Sequence, residues 1–174
     1  MADFRQQRGV TLMEMLVVLG VICVLAAITL TVTFRIESQS KENALRSAFA
    51  LLGSSLREYH EFKGQFPAQP ERIAWQTPMN AQDYQTAVAR ATAHTETMVL
   101  ELRAVPDSRQ VLEKVSPSLV KADTATVDLQ YLCDPWGTVL DYICAPEDTF
   151  PELISAGPDK RFGTGDDLSN KGQR

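Results

Sequence analysis

Arg8-Gly9-Val10-Thr11-Leu12-Met13-Glu14 leads straight into an apolar run, Met15 to Phe34, that contains no charged residue. A helix that crosses a bilayer needs roughly 20 apolar residues at about 1.5 Å of rise each. The span 10–34 has that length, and Glu14 is its only charge. Cleavable secretory signals carry a shorter apolar core, about 7–15 residues, and end in a small-residue cleavage site. This run is too long for one, and no such site follows it. Residues 1–9 form a polar leader with Arg5 and Arg8 against Asp3. Basic residues ahead of a span favour keeping that end in the cytoplasm, while Arg35, Lys41 and Arg46 beyond it weigh the other way. The expectation is a single pass, with the bulk of the chain outside the cytoplasm.

The 140 or so residues after Phe34 suffice for one small domain with its own core. Net charge is −5. An acidic domain argues against nucleic acid as a partner, because phosphate binding needs a basic face. Of three cysteines, Cys23 lies in the apolar span and packs there as a small hydrophobe. Cys133 and Cys144 would face an oxidising compartment, where a disulfide forms readily. Spacing alone is equally consistent with two free buried thiols.

Helical periodicity continues past Ser38. Leu45, Phe49, Leu52, Leu56 and Tyr59 recur at steps of four and three, an amphipathic stripe. No proline or glycine interrupts Val21 to Leu52, so span and stripe are expected to form one long helix, bent near Thr29 to Thr33. Gly64 and Pro67 stop it. After a loop from Pro67 to Pro78, Ala81 to Val105 returns to helical spacing, with Tyr84, Val88, Ala91, Met98 and Leu102 apolar. Pro106 ends that helix, and Ser108 to Val115 forms a shorter one. Val127–Leu132, Val139–Ile143 and Glu152–Ser155 read as short strands, the last two as a hairpin around Pro146–Pro151. Asp134-Pro135-Trp136-Gly137 has proline and glycine where a turn wants them. The fold class is α+β: a long N-terminal helix, a helical middle and a small C-terminal antiparallel sheet. Trp136 is expected in the joint between sheet and long helix, and His60 and His94 on the surface.

With those parts in order, the chain resembles the prepilin-type proteins, and among them the major pseudopilin of type II secretion. Gly9-Val10-Thr11-Leu12-Met13-Glu14 is similar to the prepilin cleavage and methylation motif. Leu56-Arg57-Glu58-Tyr59 through Gly64-Gln65-Phe66-Pro67 is similar to the end of that family's long helix. Asp134-Pro135-Trp136-Gly137 matches its turn before the sheet, and Ser155-Ala156-Gly157-Pro158-Asp159 with Asp166-Asp167 resembles its calcium loop. The resemblance implies a pilin-like fold in three parts: a leader over 1–9, a transmembrane and assembly helix over 10–34, and a periplasmic domain over 35–174. Within that domain, 76–126 reads as a helical insertion and 134–174 as the sheet with its acidic loop. Two positions depart from the family pattern. Val10 replaces a phenylalanine, and Thr31 stands where a helix proline usually falls.

The resemblance also implies chemistry at named residues. Prepilin peptidase would cut between Gly9 and Val10, and Val10 would be N-methylated. Glu14 would pair with that amine on a neighbouring copy and so set the step of a helical fibre. The plainer alternative is a surface glutamate that complements a helix N-terminus, which leaves the register with Gly9 unexplained. Calcium takes 6–8 oxygens, and the resemblance offers the carbonyls of Ala156 and Arg161 with Asp159, Asp166 and Asp167. The loop is not an EF-hand, since Asn170 stands where the twelfth-position glutamate belongs. A solvated acidic tail diluted by Lys160 and Arg161 is the alternative there.

The implied partners are further copies of the chain, prepilin peptidase, other pseudopilins, an inner-membrane assembly platform and the membrane itself. The implied location is the inner membrane and then a periplasmic fibre. A type IV pilin, a minor pseudopilin and an uncleaved membrane-anchored periplasmic binding domain are the rival readings. No serine–histidine pairing, zinc spacing or phosphate-cradling loop argues for an enzyme.

Overall fold

A computed structural model describes residues 12–69, 71–75, 79–122, 129–145 and 148–173, with side chains outside 26–36 and 173. The chain divides into two compact units, Met1–Ser40 and Lys41–Arg174. The leader, Gly9 and Val10 fall outside the described residues.

Helix α1 runs without interruption over Leu12–Lys63. Gly64, at φ 76, ends it by donating its N–H to the His60 carbonyl at 2.8 Å, a left-handed stop that glycine adopts without a Cβ penalty. Among the described residues no helix is long and apolar enough to cross a membrane. The expected span is described with side chains only as far as Leu25.

In the second unit, α2 (Ala81–Ala104) starts at Asn80, whose side chain accepts from the Asp83 N–H at 2.8 Å. Pro106 does more than stop it. It holds Val105 extended and opens the next helix, α3 (Pro106–Leu112), at a position where its missing N–H costs nothing. A 3₁₀ turn, Pro117–Leu119, leads into β1 (Val120–Ala122), which pairs antiparallel with β2 (Gln130–Leu132). β3 (Asp141–Ile143), β4 (Glu152–Ser155), β5 (Leu168–Ser169) and β6 (Gly172–Gln173) form an antiparallel sheet in sequence order. β1, β5 and β6 were not expected. The α+β class, the long helix, the helical middle and the C-terminal sheet are as read from the sequence.

Strand alternation sends neighbouring side chains to opposite faces, and here both faces are covered. Leu140, Tyr142 and Leu153 join the α1 stripe Leu45, Phe49, Leu52, Leu56 and Tyr59 in the main core. Val139, Ile143 and Ile154 join Ala91 of α2 and Phe162 in a second cluster. The later turns of α2 reach the main core directly, through Met98, Val99 and Leu102. Ser55 of α1 bonds Ser108 of α3 at 2.9 Å, and the Tyr59 hydroxyl donates to Glu101 at 2.6 Å. The helical middle therefore roofs the second sheet face and grips α1 beyond it. Trp136 is half-buried and packs against the main core.

One open choice is resolved and one expectation is corrected. Cys133 and Cys144 are free thiols, one of the two alternatives their spacing allowed. Cys133 is paired with Val139 across the strand and Cys144 with Gln69. The five extended steps from 139 to 144 span about 16 Å, whereas a disulfide tolerates about 7 Å between Cα atoms. Burial pushes the Cys133 thiol up to about 11, with the Asp134 charge adding to it, so it stays protonated. His94 is buried rather than superficial: its Nδ1 lies 3.1 Å from Asp141 Oδ1, and Asp141 is fully buried. The indole N–H of Trp75 donates to the other oxygen of that carboxylate at 2.9 Å.

Candidate functional site: the N-terminal segment and the acidic loop

Glu14 sits in the first turn of α1. The four leading N–H groups of a helix have no intrahelical acceptor, and their partial positive charge favours a carboxylate there. Around and beyond Glu14 the helix presents apolar side chains outward. Leu12 is 83% exposed, Met13 71%, and even Val18, the least exposed of the set to Leu25, is 50% exposed. Exposure of this extent over four turns far exceeds the scattered apolar residues of an ordinary soluble surface and marks a face that something else covers.

The second constellation lies in the turn between β4 and β5. Gly157, at φ 67, brings the chain so close that a Cβ there would lie 2.2 Å from the Asp166 carbonyl oxygen. Only glycine fits. Around that crossing the carboxylates are held by the loop's own donors. Asp166 Oδ2 accepts from the Asp159 N–H at 3.0 Å and Oδ1 from the Thr164 hydroxyl. Asp159 Oδ1 accepts from the Arg161 N–H at 2.7 Å, and Asp167 Oδ2 from the Gly163 N–H at 2.8 Å. Partial burial raises the Asp166 pKa, but the Thr164 hydroxyl and the Asp159 N–H outweigh it and hold the group below the usual carboxylate range. Ala156 is fully buried at the end of β4, and Arg161 is exposed. The structure thus gathers Asp159, Asp166 and Asp167 in one turn. Among the described residues no group of three or more His, Cys, Asp or Glu side chains is placed to hold a metal ion.

The Asp134-Pro135-Trp136-Gly137 turn is a fastening point. Asp134 Oδ1 accepts from the N–H groups of Trp136 and Thr138, at 3.0 and 2.9 Å, and Oδ2 from the Ser155 hydroxyl at 2.7 Å. Burial nonetheless pushes its carboxyl above the usual range. The His94–Asp141–Trp75 set, its first two members buried and Trp75 half-buried, does similar work on the other side of the sheet. It joins α2, β3 and the chain that follows α1, and no local signal announces it, because the three residues are remote in sequence.

Against known proteins, the family description "Prokaryotic N-terminal methylation motif" matches residues 4–30. That stretch contains Gly9, Val10 and Glu14 and the apolar start of α1. No curated protein and no solved structure matches the chain. Such a motif points to a structural subunit rather than an enzyme, to processing by prepilin peptidase and to pilus-type assembly from a membrane-anchored precursor. Over its N-terminal segment, then, this chain is similar to the prepilin-type proteins.

Proposed function

We propose that the chain is a structural subunit of a type II secretion pseudopilus, cut after Gly9, methylated on Val10 and assembled into a helical fibre that helps export folded proteins. The observation that carries this reading is register. The matched motif covers residues 4–30, its glutamate falls in the first turn of α1, and the helix from Leu12 to Leu25 turns an apolar surface outward. A carboxylate in a membrane helix is costly, up to about 2.5–3.5 kcal/mol at the helix centre and less towards its ends. A cationic amine on Val10 of the neighbouring copy would offset that cost and fix how far one copy steps along the next. No bond is made or broken by the subunit itself. Its output is mechanical, driven by an inner-membrane platform.

Calcium belongs to the same proposal. The carbonyls of Ala156 and Arg161 with the carboxylates of Asp159, Asp166 and Asp167 supply oxygen donors of the hard type the ion takes. Loading would exchange loop N–H and hydroxyl partners for the metal and offset two of the three negative charges of the aspartates at the edge of the sheet. The same motif fits a type IV pilin or a minor pseudopilin. The likeness of the 155–167 loop to the pseudopilin calcium loop favours the major pseudopilin.

Glu14→Ala tests the assembly role. The variant is expected to insert, to be cut and methylated normally, and to give at least tenfold less fibre. Fibre at the wild-type level would contradict the intersubunit pair.

A further inference from the structure

Two features of the second unit lie about 20 Å apart along α1, at 1.5 Å per residue, and neither is used by anything described so far. One is a cleft of about 520 Å³ beside the helix, floored by Ala48, Leu51 and Leu119 and walled by Trp136, with Lys114 and Lys121 at its rim. The other is at the last turn of α1. Phe62 is 65% exposed there, although it stands on a helix whose other large apolar residues in this unit are packed inward. Glu58 and Glu61 precede it, Glu61 exposed and Glu58 half-buried.

We propose that Phe62 of one copy of this chain inserts into the Trp136 cleft of the next, with Glu58 and Glu61 facing Lys114 and Lys121. The surfaces are complementary in sign: the aromatic knob has two carboxylates beside it against one ammonium, Lys63, 5.9 Å from its ring centroid, and the apolar hole has two ammoniums at its rim against one buried carboxylate, Asp134, in its lining. Aromatic side chains seated in desolvated pockets dominate interface energetics, and charges at the rim fix register more than affinity. Knob and hole are different patches of one molecule displaced along the helix axis. The contact is therefore heterologous, and repetition with an axial displacement gives an open filament rather than a closed ring. This inference rests on the fibre reading and names a contact within it.

The test uses the full-length, processed protein. Phe62→Asp is expected to cut fibre yield at least tenfold while leaving the mature N-terminus and the thermal melt unchanged, since the side chain is exposed. Reversing charges on one side only, Glu58→Lys with Glu61→Lys, is expected to reduce yield several-fold. Adding Lys114→Glu and Lys121→Glu in the same chain is expected to restore it. Wild-type fibre yield from Phe62→Asp, or no recovery in the fourfold charge swap, would overturn this contact and leave the fibre reading standing. An uncut leader on the wild-type protein would remove both.

Discussion

Two stretches of α1 both carry large apolar side chains and end in opposite circumstances. From Leu12 to Leu25 the large apolar side chains are half to four-fifths exposed. From Leu45 to Tyr59 the stripe residues Leu45, Phe49, Leu52, Leu56 and Tyr59 are all at or below 8% exposure. Patterning accounts for the difference. The second stretch confines its apolar residues to one face at helical spacing, and the sheet residues Leu140, Tyr142 and Leu153 close over that face. The first is apolar all round and carries one carboxylate, so no single-sided packing could cover it. The two stretches of this one helix are thus patterned for different surroundings.

The sharpest way to break that contrast is at the buried end. Leu56→Ala is expected to cost about 2–5 kcal/mol in denaturant unfolding of the second unit. Leu16→Ala, at an exposed position, should change that stability by no more than about 0.5 kcal/mol. Equal effects would mean that the two stretches do not differ as described. Gly157→Ala probes the acidic turn with comparable force: a Cβ 2.2 Å from backbone cannot be accommodated, so a loss of about 2–4 kcal/mol in melting is expected.

His94→Ala withdraws one polar partner from a fully buried carboxylate, for an expected loss of about 1–3 kcal/mol. The Trp75 emission should shift as well, because its N–H shares Asp141.

The smallest effect is titratable. The Ala145 N–H outweighs a modest burial effect and, with the Lys171 and Arg72 charges, holds the Asp148 pKa below 3.8 in the folded chain. The lowered value means that its stabilisation is present above pH 3.8 and disappears as pH falls through the folded pKa. Asp148→Asn should therefore reduce the drop in Tm between pH 7 and pH 3, and an unaltered drop would count against the contact. Under the calcium proposal, Asp159→Ala should lower Tm further when calcium is supplied than with chelator, where only the Arg161 N–H contact is lost. Identical melting with calcium and with chelator would remove the ion from the account.

The sequence disclosed some of this plainly. The 45–59 stripe stood out because it keeps one period over several turns. β5 and β6 are two residues long, too short for any alternation to register. Pro106 was legible as a breaker, but its second role, opening α3, depends on Val105 being extended. The free state of Cys133 and Cys144 follows from strand register, which pairs 133 with 139, and spacing holds no such information. A single histidine in an otherwise polar helical stretch says nothing about a carboxylate 47 positions later, so the His94–Asp141 contact appeared only in the fold. In the acidic turn the aspartates could be counted from the sequence, whereas the N–H groups that hold them depend on the left-handed Gly157.

The most direct measurement is the mass of the native N-terminus. Purified material from the producing cell is expected to begin at Val10 and to carry one added methyl group. A chain that begins at Met1 with an unmodified amine would contradict the account, because the Val10 amine on which assembly is proposed to depend would not exist.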